Sequence, residues 1–331
     1  MGEKDQPFLA FYTLTTMCCF IFGPLGGMAR IPPKWYHMCR CSPQKSETAM
    51  ARDIYAEVTN TLVSSIEADP GKPIMPWNRT GTNTVPSNIA SGSEYGGVNI
   101  INLWVTAQVQ GFATGIWGTY RQWREKGASV QKGQKSTPVI FYKQVTRERA
   151  DGEDESYRVL KYFNVFNADQ VDGYDLPALT GSAEPVERIA VIDAMIAKTG
   201  VDIREAGAQA YYSPTDDRIT MPESRRFFDT VSGTRSENYF AVLLHELTHW
   251  TGHPSRCDRD LRNRFGNAAY AMEELVAEIG SAFFCARLGI SSSPREDHAQ
   301  YLGNWLSVLK NDKKAIFTAA AKAQAAIDFV L

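Results

Sequence analysis

The chain has 331 residues, of which 44% are hydrophobic and 22% charged. That excludes a disordered, fibrous or collagen-like polymer and leaves room for two ordinary domains. The net charge of −2 hides an asymmetry: residues 51–149 carry 11 Lys and Arg against 7 Asp and Glu, and residues 150–331 carry 19 against 27. A basic block followed by an acidic one predicts two domains with different partners.

Residues 1–49 form a leader. Its stretch Phe8 to Ala29 is uncharged and long enough for a signal peptide or a membrane span. The opening "MGEKDQP" is not clearly basic, however, and Pro24, Gly26 and Gly27 interrupt the apolar run. The leader is therefore expected to be disordered, or to come from a start codon placed too far upstream, and no membrane contact is expected. Four of the six cysteines, Cys18, Cys19, Cys39 and Cys41, lie in it, with Cys257 and Cys285 in the body. This is no disulfide framework and fits a reducing, cytoplasmic compartment.

The body reads as α+β. "ARDIYAEVTNTLVSSIE" is an amphipathic helix with Ile54, Val58, Leu62 and Ile66 on one stripe. A Pro/Gly/Asn-rich stretch leads to an apolar helix or strand near Ile100–Val105. A helix over Gly118–Lys126 and strands near Ser129–Val130 and Pro138–Gln144 follow, then an acidic tip and the alternating strand "YRVLKYFNVFNADQV". Residues 50–175 thus form one small α+β domain, and 176–184, within "LPALTGSAEP", form a linker. The second domain, 185–331, opens with a helix that ends at Gly200. A hairpin in "QAYYSPTDDRITMPES" comes next. Thr234 with Glu237 makes a capping box that starts another helix. Further helices are "AMEELVAEIGSAFFCARL", closed by Gly289, and two amphipathic helices at the end.

The helix begun at Thr234 carries "HELTH". Residues four apart on a helix differ by ~40° around its axis, so His245 and His249 share a face and can reach one ion at ~2 Å. Glu246 is placed to act as general base on a water activated by that ion. A third histidine three residues beyond Gly252 would complete a longer motif, but that position is Ser255, and His253 comes two residues early. The next helix supplies Glu274 as third ligand instead, with Glu278 one turn on to hold a histidine N–H. Glu273, ~100° away, is expected to face solvent. The donor set suits Zn²⁺, with Mn²⁺ as the alternative. The preceding hairpin offers an edge strand near Ile219 for a peptide or protein substrate, whose identity the sequence does not give.

The basic block interleaves aromatics with cations. Trp117, Tyr120, Arg121, Arg124, Lys126, Lys132 and Lys135 are candidates for single-stranded DNA, with rings stacking on bases and cations meeting phosphates. The competing reading makes the tryptophans core and the cations a solvated face. Trp104, inside "INLWV", is assigned to the core.

From about Met50 to Leu331 the chain resembles the antirestriction protein ArdC family of conjugative plasmids and related mobile elements. The matching stretches are "ARDIYAEVTN", "PSNIASGSEYGGVNI", "WGTYRQWREKGASVQKGQKS", "FNVFNADQV", "HELTHWTGH", "EELVAEIGSAF" and "NWLSVLKNDKKAIFTAAAKAQ". The resemblance implies an N-terminal domain that binds single-stranded DNA, a C-terminal zincin-like metallopeptidase domain, and protection of incoming plasmid DNA from host restriction. The N-terminal module is also similar to part of TraC-type plasmid primases, although no primase carboxylate cluster is visible. The alternative function is therefore a DNA-binding replication or primase-accessory protein on a non-catalytic zincin scaffold. The leader has no counterpart in the family pattern.

Overall fold

The computed structural model describes residues 53–68, 84–148, 154–175, 185–230, 233–261, 268–290 and 298–331. The leader and the linker 176–184 lie outside them, as does the tip of the acidic hairpin at 149–153.

Helix α1 (Ile54–Glu67) starts where the Asp53 carboxylate accepts from the Ala56 amide, at 3.1 Å. Its stripe of Ile54, Val58, Leu62 and Ile66 is buried as the spacing predicts. Strand β1 (Ser87–Asn88) precedes α2 (Val98–Gln110), which settles the helix-or-strand question at "INLWV". Ile100, Ile101, Leu103, Trp104 and Val105 are all buried, so α2 is a core helix, apolar around much of its girth, and shows little amphipathic period. Strand β2 (Ile116–Thr119) and helix α3 (Tyr120–Glu125) divide the segment expected to be helical from Gly118. Gly118 lies in the strand, paired with Phe166, and is glycine because a Cβ there would lie 2.4 Å from Ile89 Cγ2 and 3.1 Å from the Trp123 ring nitrogen. Thr119 then caps α3 in a capping box with Gln122.

Strands β3 (Ser129–Val130) and β6 (Val171–Asp172) pair with each other. The long strands β4 (Thr137–Glu148) and β5 (Asp154–Asn167) form an antiparallel hairpin in a sheet of order β1-β2-β5-β4. The outer edge of β4 is not left bare. Asn99 of α2 donates to the Ile140 carbonyl and accepts from the Ile140 amide, and Asn102 donates to the Pro138 carbonyl, all at 2.8 Å. Two side chains one helical turn apart thereby stand in for a neighbouring strand.

Helix α4 (Pro185–Thr199) ends at Gly200, φ 70°, as expected. Strands β7 (Asp202–Glu205), β8 (Tyr211–Ser213) and β9 (Arg218–Met221) form a sheet of order β7-β9-β8. Ile219 is therefore in the central strand, paired with Ile203 on one side and Tyr212 on the other, and the expected edge at Ile219 is corrected. Among the described residues the free edges belong to β8 and to β7, a strand the sequence reading did not identify. Helices α5 (Arg235–Thr251), α6 (Ala268–Leu288), α7 (His298–Asn311) and α8 (Ala315–Val330) complete the chain.

Residues 52–331 form one compact unit. Its main core runs through elements early and late in sequence: Trp104 of α2 meets Phe283 of α6 edge-on at 5.8 Å, and Tyr55 of α1 lies 4.6 Å from Phe317 of α8. No helix among the described residues is long and apolar enough to cross a membrane.

Candidate metal centre

The start of α5 is fixed by the expected capping box: Thr234 Oγ1 accepts from the Glu237 amide, and Glu237 accepts from the Thr234 amide. The apolar residues Leu243, Leu244 and Leu247 sink the helix into the core and carry His245 and Glu246, each 3% exposed, with them. The two imidazole rings stand 4.9 Å apart.

Helix α6 crosses close to α5 because residue 280 is glycine. A Cβ there would meet Thr248 Cγ2 at 2.5 Å and Oγ1 at 2.7 Å. One residue on, Ser281 Oγ donates to the Ala241 carbonyl at 2.9 Å. This close crossing brings three glutamates of α6 against the histidines. Glu274 lies 3.7 Å from His245 Nε2 and 3.6 Å from His249 Nε2. One ligand atom each of His245, His249 and Glu274 falls within 4.8 Å of the others. Two donors ~2 Å from a shared ion at a near-tetrahedral angle stand roughly 3.3 Å apart, so this spacing fits a divalent cation.

The remaining ring nitrogens fit the same assignment. His245 Nδ1 is 3.5 Å from Glu278, and His249 Nδ1 is 3.2 Å from Glu273. A carboxylate thus stands behind each imidazole, an arrangement that favours a proton on Nδ1 and leaves Nε2 facing inward. Burial opposes ionisation of Glu274, but the facing imidazoles of His245 and His249, 3.7 and 3.6 Å away, outweigh it and hold its pKa at about 2. The carboxylate is thus ready to ligate without losing a proton.

Glu273 corrects the sequence reading. It is 8% exposed rather than solvent-facing, because Arg259 from the segment after α5 folds over that side of α6. The Arg259 guanidinium, itself buried, meets both carboxylate oxygens of Glu273 and donates to Thr251 Oγ1 at 2.9 Å. Gly252 makes room for it, since a Cβ there would lie 3.0 Å from Arg259 Nη2 and 2.9 Å from the His249 carbonyl. Sequence reasoning missed Arg259, which sits among Arg256, Arg262 and Arg264 with nothing in the pattern to single it out. His253 stays out of the cluster, with its Nδ1 2.8 Å from Ser255 Oγ.

A second polar knot ties the β8–β9 hairpin to the end of α5. Arg256 lies 3.9 Å over the Trp250 ring, donates to the Trp250 carbonyl at 2.7 Å and pairs with Asp217, whose carboxylate also accepts from Tyr212 at 2.8 Å. The hydrogen bond from Arg256 holds the Asp217 carboxyl below its ordinary 3.8.

The DNA candidates divide. Tyr120 is 54% exposed, and Arg121, Arg124, Lys126, Lys132 and Lys135 are exposed. Arg121 spends its charge in an exposed pair with Glu125 at 2.8 Å. Trp117 is 1% exposed and meets Phe112 edge-on at 5.9 Å. Its strand lies between β1 and β5 and turns this ring into the core, so Trp117 is a packing residue and not a stacker. Trp104 is core, as expected.

Comparison with known proteins agrees with this geometry. Residues 52–166 match the N-terminal domain of anti-restriction factor ArdC, and residues 190–322 match a zincin-like metallopeptidase domain. The crystal structure of the antirestriction ArdC protein from plasmid R388, in its metal-free form, superposes with a TM-score of 0.69 at 40% identity, over 84% of this chain and 97% of that one. The chain belongs to the ArdC antirestriction family. The Mn(II)-bound structure of the R388 protein superposes almost equally, with a TM-score of 0.68 at 39% identity. Protein y4eC of Sinorhizobium fredii is 45% identical over 84% of this chain and 91% of its own length. Two DNA primases TraC of Escherichia coli are 34% and 36% identical, but this chain spans only 27% and 19% of them.

Proposed function

We propose that this ArdC-family protein is a two-part antirestriction factor of a conjugative plasmid or mobile element. Its N-terminal half binds single-stranded DNA as it enters the cytoplasm, and its C-terminal half is a metal-dependent peptidase. The observation that carries the second part is the convergence of His245, His249 and Glu274 beside the buried Glu246. Those three residues would hold the ion, Zn²⁺ or Mn²⁺; the Mn(II)-bound relative supports a divalent cation without choosing between them. When bound, such an ion lowers the pKa of a water toward ~7 and polarises a substrate carbonyl. Glu246 takes the proton of the attacking water and returns it to the leaving amine. Glu278 and Glu273 hold the two imidazoles in register, and Arg259 holds Glu273. An extended peptide is received along β8, the free strand edge that packs near α5.

The TraC relatives favour a second reading, in which the same module serves as a DNA-binding accessory to replication and the zincin fold is only a scaffold. Glu246→Gln separates the two. With fluorescent casein as probe, with and without single-stranded DNA, the variant should keep metal and DNA affinity while cleavage falls roughly 10²- to 10⁴-fold. Equal cleavage by variant and wild type would sink the role given to Glu246. No cleavage by the metal-loaded wild type under either condition would favour the scaffold reading.

A further inference from the structure

Single-strand binding needs rings that bases can reach, and Trp117 cannot supply one. The β4–β5 hairpin supplies others. Val139 and Ile140 are buried, and the next two residues of β4, Phe141 and Tyr142, are 46% and 53% exposed. On β5, Val165 is buried, and Phe163 and Tyr162 are 48% and 47% exposed. Four of the large apolar side chains left in solvent among the described residues therefore lie on this hairpin, at the level where it passes from buried to open. A cluster of that kind marks an interaction surface.

The register sorts them by face. Val139 stands opposite Phe163, and Phe141 opposite Lys161. Opposite residues share a face, as do alternate ones, so Phe141, Phe163 and the exposed Lys161 are on the same side. The two phenyl rings meet edge-to-face at 5.5 Å. On the neighbouring strand Thr119 stands opposite Val165, so the chain leaves β2 at this patch through the exposed Tyr120 and Arg121. The other face differs, because Tyr142 is tied by its hydroxyl to that of Tyr55 at 3.1 Å.

We propose that Phe163 and Phe141, with Lys161 opposite Phe141 and two residues from Phe163 on the same face, form the base-stacking surface for single-stranded DNA. This rests on the reading of the N-terminal half as a single-strand binder and assigns the side chains that do it. The charge pattern favours nucleic acid over a second protein surface. An apolar partner would bury Lys161 directly opposite Phe141, and lysine is depleted from such interfaces, whereas a strand stacked on the rings offers that ammonium a phosphate.

The test is fluorescence anisotropy of a labelled oligothymidylate against the full chain at two salt concentrations. Phe163→Ala and Phe141→Ala should each weaken binding roughly five- to hundredfold with an unchanged urea midpoint. Phe163→Leu, which keeps apolar bulk without a ring, should lose as much as alanine, and Phe163→Trp should bind as wild type does. An abasic strand of equal length should bind weakly and be indifferent to all four changes. Phe228→Ala, at a 72% exposed ring outside the hairpin, is the control and should change nothing. If wild type binds and the Phe163 and Phe141 variants bind equally well, the stacking surface is wrong and the single-strand reading stands. Failure of wild type to bind the strand at all overturns both. Loss of self-association in the variants with unchanged DNA affinity would overturn the assignment in favour of a second copy of the chain.

Discussion

Where α5 crosses α6, the groups assigned to chemistry are buried (His245, Glu246) or half-buried (His249, Glu274) and each imidazole is backed by a carboxylate; on the β4–β5 hairpin, the groups assigned to binding are exposed rings on an open face. The first arrangement suits a charge that must be held in one geometry, because a dry site strengthens each ionic contact and makes an unmatched one costly. The second suits a ligand of variable sequence, because stacking asks for a reachable ring and little else. The same residue type consequently has opposite meanings in the two regions. A buried glutamate is read as functional at Glu246 and Glu273, and a buried aromatic at Trp117 is a sign of packing.

The sharpest way to break that contrast is Arg259→Ala. It leaves the Glu273 carboxylate buried without its guanidinium, which should cost about 3–5 kcal/mol in urea unfolding and also weaken metal retention. A surface arginine would cost nearly nothing, so a loss under ~1 kcal/mol would remove Arg259 from the site. Trp117→Ala tests the other side. A core tryptophan should cost about 3–5 kcal/mol of stability. If the variant were as stable as wild type yet lost DNA affinity, the burial argument would fail and Trp117 would return as a stacker.

A smaller effect comes from the Asp217–Arg256 tie. The Asp217 pKa is depressed in the folded state, so the stability it adds is complete above the unfolded value near 3.8 and is lost as pH falls through the lower folded one. Between pH 5 and pH 3 the urea midpoint of wild type should therefore drop more than that of Asp217→Asn. The difference should be slight, since this carboxylate is 42% exposed. Identical slopes would mean the tie contributes nothing to the acid limb.

Much of the candidate metal centre was legible because helical spacing is a rigid ruler. His245 and His249 four apart, and Glu274 and Glu278 four apart, leave few ways for two packed helices to bring them together. The ruler failed at Glu273: a 100° offset gives direction around an axis but not what lies there, and Arg259 arrives from a segment with no periodic signal. The sheet was harder to read. Period-two alternation tells which residues share a face and not which face is covered, so Trp117 and Phe163, both in alternating strands, could not be told apart. Nor could a four-residue strand such as β9 reveal that it has neighbours on both sides; that depends on the pairing of β7, some sixteen residues earlier in the chain. Thr234 was easier, because a capping box is local and its four residues carry the whole signal, although the same signal at Thr119 was missed.

The most direct test of the metal centre is elemental analysis of the purified full chain after equilibration with Zn²⁺ or Mn²⁺ and removal of free ion, for wild type and His249→Ala, with affinity for the same single strand measured on each sample. The geometry of His245, His249 and Glu274 predicts one divalent ion per wild-type chain, none in the variant, and equal DNA binding by both. A wild-type chain that retains no ion, or a variant that retains it fully, would contradict the assignment.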